Sequence, residues 1–557
     1  MSTERNLLRW NGWGLKSEDY GLGERAPVFW EWARQAVGAR SLPDTPAVSL
    51  DDTILPEIAL RPEILSSLKR LTSPDRVKID PYERAFHAYG KSYPDLIKVR
   101  SGKIDEAPDA VVYPETEDEV VAVLKLARDE HLAIVPYGGG SSVVGGVGAL
   151  KAAGQDGVIT LDMTRMARLV SLDEEAMTAT LEAGIYGPAL EDTLQEQGFT
   201  LGHYPQSFEF STLGGWVSAR GAGQQSNKYG KAEKWLVSAR LATPTGIWQT
   251  ENYPASAAGP NLNQIVAGHE GTLGVITEAT VRIHQIPPVK DYRGFFFKDF
   301  FDGVAAIREI VQSGLPVAMA RLSDPDETRF FQGASTVGTS REKQLKWMLR
   351  LLRWRIGPKP CLMLVGTEGP GPKVEGTRDA VRAIVKRNGG FHMGEFLGST
   401  WYKQRFHSPY LRDPMMDHGL AVDTLETATR WSNMRPLYNA VMTAIREAIA
   451  QVTPEGTTPL VMCHVSHSYH DGASLYFTFV WPRELKDPLG QWQRIKAAAS
   501  EAIAAHGGTI SHHHGVGTDH APWLDDEKGE YGMKALKAVK QALDPDGVLN
   551  PGKSFGK

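Results

Sequence analysis

The sequence predicts an α+β protein with two sheet-bearing parts behind a helical N-terminal region. Three observations carry this expectation. Ala110–Gly140 runs strand, helix, strand, glycine loop. Ala152–His284 consists of short apolar runs broken by glycine. Beyond Pro287–Pro288, long helical patterns alternate with strand-like runs. The parts are expected at 1–100 (polar, helical), 101–286, 287–530 and 531–557, the last returning to the second part.

Taken in order, prolines at 43, 46, 56 and 62 punctuate the first hundred residues. Val111–Tyr113 reads as a short strand. Thr116 can cap a helix, with Glu119 as its capping-box partner. Val120, Val123, Leu124 and Ala127 recur at helical spacing, and Leu132–Val135 is the next strand. Gly157–Leu161, Thr178–Leu181, Leu236–Ala242 and Val275–Ile283 are further strands. Later, Glu375–Asn388 and Met434–Gln451 read as helices, and Leu460–His464 and Ala473–Trp481 as strands.

Composition narrows the function. The 557 residues carry 61 Lys and Arg against 66 Asp and Glu, a net charge of −5, which argues against a nucleic-acid binder. Two cysteines, Cys361 and Cys463, exclude a disulfide framework and fit a reducing compartment. The N-terminus lacks the apolar core of a secretory signal. No run of about 18 apolar residues occurs. A soluble intracellular protein is expected. Glycine, at 56 residues, is the enriched type, about 10% against a norm near 7%.

Three glycine-rich stretches stand out: Pro136–Val147, Gln206–Gly223 and Ala267–Thr277. Glycine lets backbone N–H groups approach a ligand, and successive N–H groups form nests suited to a diphosphate. None of the three matches the Rossmann fingerprint or the Walker loop. Within Ala473–Trp481, Leu475, Phe477, Phe479 and Trp481 share one face, so the other presents Ser474, Tyr476 and Thr478. Ser511–Gly517, SHHHGVG, leaves three readings open: a metal site completed by His464 or His467, acid/base or phosphate recognition, or structure. Arg341–Ile356 has six basic residues (Arg341, Lys343, Lys346, Arg350, Arg353, Arg355), and Trp347, Leu351 and Trp354 share a face. It is either a packed helix with solvated charges or an interfacial one.

The first and third glycine stretches, with the closing DPDGVLNPGK, resemble the FAD-binding fold of the vanillyl-alcohol oxidase and p-cresol methylhydroxylase superfamily. Across nearly the whole chain, RWNGWG (Arg9–Gly14), HAYGKSYPDLI (His87–Ile97), PYGGGSSVVGGV, GHYPQSFEFSTLGGW (Gly202–Trp216) and SHHHGVG resemble the alkyldihydroxyacetone-phosphate synthase family. The resemblance implies a two-subdomain FAD-binding fold with an α/β cap and non-covalent FAD. It also implies exchange of the acyl chain of acyl-dihydroxyacetone phosphate for a long-chain fatty alcohol, through a flavin N5 adduct without net redox change. It departs at Gln206, commonly Asp, at His269, usually Ser, and in lacking the animal members' peroxisomal address. The expected alternative is an FAD-linked 2-hydroxy-acid dehydrogenase or oxidase.

The cofactor loops so implied comprise Pro136, Tyr137, Gly138, Gly139, Gly140, Ser141 and Ser142. The second stretch adds Gln206, Ser207, Phe208, Glu209, Phe210, Ser211 and Thr212, then Ala219, Arg220, Gly221 and Ala222. The third adds Gly268, His269, Glu270, Gly271, Thr272, Leu273 and Gly274. By the same resemblance Tyr476 is the base at substrate C1. His512, His513 and His514 serve acid/base chemistry and substrate contact without metal, and His203 joins them. Arg412 takes the departing carboxylate, and Arg321 lies near the flavin. Related dehydrogenases carry Glu-His-Gly and a metal at the triplet; the lack of Glu within Ser511–His514 weighs against a metal here. A homodimer, and peripheral membrane contact through 341–356 from the cytoplasmic side, complete the expectation.

Overall fold

The computed structural model describes residues 4–555. Its first sheet holds β1 Val77–Lys78, β2 Ala110–Val112, β3 Leu132–Tyr137 and β4 Gly157–Asp162, in spatial order β1-β2-β4-β3. β2, β4 and β3 run parallel and β1 is an antiparallel edge. All of β4 is buried. That fits a parallel strand covered on both faces, and it explains the near-continuous apolar runs.

Helix Glu117–Asp129 starts where expected, with Thr116 Oγ1 accepting from Glu119 N at 3.3 Å. The reciprocal half of the capping box is not made. The Glu119 carboxylate instead takes the two guanidinium N–H groups of Arg76 at 2.6 and 2.7 Å, and Glu115 N at 2.8 Å. A bidentate charged fork outweighs one amide.

β5 Leu169–Asp173, β6 Thr178–Glu182, β7 Phe199–Thr200, β8 Leu236–Thr243, β9 Gly246–Gln249, β10 Val275–Arg282 and β11 His284–Gln285 follow. β7 and β11 pair with each other. The other five form an antiparallel sheet in order β5-β6-β10-β8-β9. Then come β12 Val289–Phe297, β13 Val317–Ser323, β14 Cys361–Gly369, β15 Phe391–Gly394, β16 Leu420–Arg430, β17 Leu460–Ser468 and β18 Gly472–Pro482. They form a seven-stranded antiparallel sheet, β15-β12-β14-β13-β17-β18-β16. Helices Phe300–Gln312, Gly371–Arg387, Met434–Val452 and Pro488–Ala505 contribute to the main core against it. Leu475, Phe477, Phe479 and Trp481 are fully buried there, so the alternation read in β18 fixes which face carries chemistry. No described helix is long and apolar enough to cross a membrane, and both cysteines are free and buried.

The N-terminal region is helical only in part: Ala26–Ala36, Pro62–Leu71, Pro81–Phe86 and Tyr93–Arg100. It also contributes β1 and a buried arginine. Arg5 donates to Asp162 Oδ2 at 2.6 and 3.0 Å, to Tyr186 O–H at 2.6 Å, and to the Gly138 carbonyl. His87 Nε2 lies 2.8 Å from the same Asp162 oxygen. The segment thus braces the first glycine loop against β4. At the other end, Ile134 N donates to Val548 O and Asn550 N to Ile134 O, both at 2.8 Å, laying the C-terminal tail along β3.

Burial alone would raise the Asp162 pKa, but Arg5 and His87 hold it at about 2. Its folded-state value lies below its unfolded value near 3.9, so its contribution is present above that value and is lost as pH falls toward 2. Arg5→Ala strands a buried carboxylate and should cost about 3–5 kcal/mol by urea unfolding at pH 7. The acid limb of the stability curve should also move to higher pH. A loss below about 1 kcal/mol would mean that His87 alone carries Asp162.

Candidate active site

In the first glycine stretch, the amides of Gly139, Gly140, Ser141, Ser142 and Val143 find no acceptor among the described residues. The second stretch lies directly against it. A Cβ at Gly139 would run into the Phe210 carbonyl, and one at Gly138 into Thr212 Oγ1. Only glycine permits this approach. A run of free, partly buried amides with no carboxylate in the loop fits a diphosphate, and the residues present therefore fit FAD.

Other expected cofactor residues make bonds within the fold. Ser211 Oγ accepts from Trp216 Nε1 at 2.7 Å and donates to Ser207 O at 2.8 Å. The Arg220 guanidinium donates to Gln264 Oε1 at 2.9 Å. In the third stretch His269 Nδ1 takes the amides of Gly271 at 3.1 Å and Leu273 at 3.4 Å. Glu270 receives the amides of Val516 at 2.9 Å and Gly517 at 3.1 Å, together with the Ser554 hydroxyl. The third stretch is thus a knot joining the histidine loop to the C-terminal tail.

On the polar face of the seven-stranded sheet, Tyr476 of β18 stands opposite Glu426 of β16 and opposite His464 of β17. Its ring stacks on His464, with centroids 4.8 Å apart and an interplanar angle of 15°. Arg321 of β13 extends the row, its guanidinium 3.1 Å from Glu327 Oε1 and 3.2 Å from His464 Nδ1. The histidine loop closes over the other end. His514 packs edge-on to Tyr476 at 5.5 Å, and His513 lies at 6.4 Å. His513 Nδ1 meets Glu426 Oε2, and His512 Nδ1 lies 3.4 Å from Glu426 Oε1. His512 is anchored by its amide on Glu426 O at 3.1 Å and by Tyr469 O–H against Nε2 at 2.6 Å.

Electrostatics sort these groups. Burial would raise Glu426, but His513 and His512 carry it well below the ordinary carboxylate range. His512 is lowered to about 4 by burial and by Lys231, whose Nζ donates to His512 O at 2.5 Å. Burial lowers His514 and His467 as well. His203 sits between Trp216 and Trp235, its Nδ1 accepting from Trp235 Nε1 at 3.2 Å. That fixes the proton on Nε2, which is buried without a partner, and burial lowers the ring to about 3. Burial pushes the Tyr476 phenol up, partly offset by Thr424. Arg412 gives one N–H to Lys91 O at 2.7 Å, and its Nε is buried without an acceptor; such a guanidinium suits an incoming anion.

The structure therefore brings Tyr476, His512, His513, His514 and Arg321 to one face, with Arg412 close enough for the phenol to act on it electrostatically. Sequence reasoning missed Glu426, Glu327, Lys231 and Tyr469. The carboxylate absent from Ser511–His514 is present in space, on β16. Glu426, His467, His512 and His513 each offer a ligand atom within 4.8 Å of the others, enough to hold a metal ion. The Lys231 ammonium beside them opposes one. The legible signal was Glu426, an acid in the strand-like run LAVDTLETATR.

Residues 108–251 match the family "FAD binding domain", and 286–554 match "FAD linked oxidases, C-terminal domain". An alkyldihydroxyacetonephosphate synthase of Dictyostelium discoideum is 36% identical over 518 residues, 92% of this chain and 84% of that protein. The chain belongs to the alkyldihydroxyacetonephosphate synthase family. A solved structure of such a synthase superposes with a TM-score of 0.84 at 32% identity, covering 98% of this chain and 99% of that one. A p-cresol methylhydroxylase structure superposes with 0.63 at 15% identity, covering 88% and 96%, a likeness of fold alone. The expected fold class is thus the observed one, and this family member carries its Tyr476 row on the cap sheet.

Buried neutral histidines make this synthase-family chain sensitive to acid. His203 and His269 are held at about 3, His512 at about 4 and His520 at about 3, each by burial first. Each folded value lies below the unfolded 6.5, so the unfolded chain binds more protons between pH 6.5 and 4, and stability falls as pH falls through that window. Each such histidine adds about 1.4 kcal/mol per pH unit to the slope. Urea midpoints from pH 8 to 4 should show it, and His203→Gln should flatten the slope. A flat profile would mean that the cluster is already charged at neutral pH.

Proposed function

We propose that this chain is an FAD-dependent alkyldihydroxyacetonephosphate synthase, replacing the acyl chain of acyl-dihydroxyacetone phosphate with a fatty alcohol. The observation that carries the reading is the common face of Tyr476, the Glu426–histidine cluster and Arg321, beside an Arg412 guanidinium with unfilled donors, in a chain of this family. The free amides of Gly139–Val143, with Pro136, Tyr137 and the Ser141 hydroxyl, hold FAD without a covalent link; the loop contains neither histidine nor cysteine. Bound there, FAD would supply an electron-accepting centre.

In this reading Tyr476 accepts the proton from C1 of the substrate. Arg412 receives the departing carboxylate in bidentate fashion. Arg321, held by Glu327, faces the substrate's remaining negative charge. His513 and His514, packed against Tyr476 beside anionic Glu426, accept the proton of the incoming alcohol hydroxyl, which leaves with the fatty acid as the overall by-product. His203 offers its Nε2–H as a fixed donor. Tight burial of the cluster excludes the water that would compete with the alcohol.

The cycle is redox-neutral, and that separates it from an FAD-linked 2-hydroxy-acid dehydrogenase. Under anaerobic conditions, acyl-dihydroxyacetone phosphate should bleach the flavin spectrum and release fatty acid. Fatty alcohol alone should restore the colour, and EDTA should not matter. Tyr476→Phe should lower turnover roughly 10²–10⁴-fold while retaining the flavin spectrum. If colour returns only with an external electron acceptor, and a 2-hydroxy acid bleaches equally well, the dehydrogenase reading stands instead.

We further infer a homodimer that touches the inner face of an anionic membrane through helix Arg341–Ile356. Trp347 is 65% exposed, Leu351 53% and Trp354 70%, and Arg350 and Arg353 are also exposed; the side chains of Arg341, Lys346 and Met348 lie outside the described ones. Aromatic and basic groups together suit a headgroup layer. Trp347→Ser with Trp354→Ser should lower co-sedimentation with anionic liposomes several-fold. Equal partitioning of the variant would leave the helix as a solvated structural element.

A further inference from the structure

Helices Pro325–Thr336 and Arg341–Ile356 leave a cleft of about 390 Å³ between them, its lining completed by residues 357–360. That is room for a small ligand. None of the lining residues belongs to the Tyr476 row or to the glycine stretches. Four of them are cations, Arg329, Arg350, Arg353 and Lys359, against one carboxylate, Asp326. That carboxylate is already taken. Arg329 Nη2 donates to its Oδ1 at 2.9 Å and Arg446 Nη2 to its Oδ2 at 3.0 Å. The side chains of Arg350, Arg353 and Lys359 make no hydrogen bond or ion pair among the described residues. Like charges gathered in a cleft repel one another and focus a positive potential there. An anion is the group that relieves it.

The same helix indicates what the anion is attached to. At 3.6 residues per turn, Trp347, Leu351 and Trp354 fall within about 60° of one another, and Arg350 and Arg353 sit about 60° and about 120° further round from Trp347. The exposed apolar stripe therefore runs beside the basic wall of the cleft. The Arg355 guanidinium lies 4.5 Å from the Trp354 ring centroid and 5.0 Å from that of Phe391, which ties the stripe to β15. A ligand with a compact anionic end and an apolar remainder meets both surfaces at once. A free anion uses only the cleft, and a diffuse layer of lipid charge needs no cleft. Three unpaired cations suit the dianion of a phosphomonoester better than the single charge of a phosphodiester, and guanidinium forks match phosphate oxygens two at a time.

We propose that this cleft binds the headgroup of a membrane lipid phosphomonoester, with Arg350, Arg353 and Lys359 on the phosphate and the Trp347–Leu351–Trp354 stripe in the acyl layer. Pro358 and Pro360 flank Lys359 and restrict its backbone, so the third cation is presented by a stiff segment. The Gln332 side chain, which makes no hydrogen bond among the described residues, adds a neutral donor to the opposite wall. The inference rests on the membrane contact inferred above and gives that contact a headgroup preference. Diffuse attraction depends on the charge of the surface alone, whereas a cleft with converging donors distinguishes two headgroups on surfaces of equal charge.

Co-sedimentation of the FAD-loaded protein with phosphatidylcholine vesicles tests this. The vesicles carry either phosphatidic acid or phosphatidylglycerol, at fractions matched for surface charge. Wild type should bind the phosphatidic acid vesicles at least about fivefold more tightly, the worth of roughly one basic contact. Arg350→Gln with Arg353→Gln should erase that preference. Lys359→Gln, which lies off the helix and leaves the amphipathic stripe intact, should reduce it. Flavin spectra and thermal melting should match wild type in every variant. Dihexanoyl phosphatidic acid, monomeric in solution, should bind in titration calorimetry at one site per chain, more tightly than inorganic phosphate. Equal affinity for the two vesicles, or a preference that survives Arg350→Gln with Arg353→Gln, overturns the headgroup site and leaves the membrane contact standing. Inorganic phosphate binding as tightly as the short-chain lipid overturns the lipid assignment in favour of a free-phosphate site. Calorimetric binding of the short-chain lipid without partitioning onto any vesicle overturns the membrane contact and leaves the phosphomonoester cleft standing.

Discussion

Glu270 fastens the cofactor half of the molecule to its catalytic half. Its carboxylate gathers the amides of Val516 and Gly517 and the Ser554 hydroxyl, and its carbonyl accepts from Asn550 Nδ2 at 2.6 Å. A Cβ at Gly515 would strike this carboxylate, and one at Gly517 the Val144 carbonyl of the first glycine loop. Thr518 N and Asp519 N donate to that same carbonyl at 3.0 and 3.2 Å. The loop bearing His512, His513 and His514 is thereby built directly onto the loop whose amides are free for a diphosphate. No slack remains for the two to move separately, and preorganisation of this kind is what lets fixed groups act on a bound substrate.

The seven-stranded sheet supplies the other constraint. Antiparallel pairing places residues in direct opposition, so one buried apolar face forces a polar row onto the other. Because Phe477, Leu475 and Phe479 are fully buried, Tyr476 must face the cofactor half, and register then aligns Glu426, Tyr476 and His464 without any turn or loop to position them. Strands hold such groups more rigidly than loops. A one-residue slip in β18 would bury the phenol in the core and abolish the site.

How legible was this? Periodicity located β18 and its chemical face because alternation survives in a half-buried strand. The helix at 117–129 was legible for the matching reason, a cap followed by 3.6-residue spacing. β16 was not read, since Leu420–Arg430 mixes small, acidic and β-branched residues; of its two acids Glu426 joins the site, while Asp423 turns to the other face and pairs with Lys496. The third glycine stretch was read as a cofactor loop, and the structure shows it also knotting the histidine loop and the C-terminal tail together around Glu270. A glycine pattern reports close backbone approach, and it does not say whether a ligand or another strand of the same chain is the neighbour. Arg5 was invisible for a related reason: nothing local marks an arginine whose partner, Asp162, is 157 positions away.

The distribution of buried cations argues for what enters the site. Arg321 is held by Glu327, Lys496 lies 3.3 Å from Asp423, and Lys231 lies 3.6 Å from Glu233. Each is compensated within the fold. Arg412 differs: among the described residues its guanidinium reaches only a backbone carbonyl, with no carboxylate at ion-pair distance and an orphaned Nε. Leaving a cation short of partners in a partly buried place costs stability, and the fold keeps that cost beside Tyr476 rather than at a surface where water would relieve it. An anionic substrate removes the deficit on binding, and a neutral alcohol does not. In the proposed cycle the same guanidinium would favour the anionic acyl-bearing reactant and the carboxylate that departs from it. Release of that carboxylate would then leave a space that an uncharged alcohol can enter without displacing a bound charge.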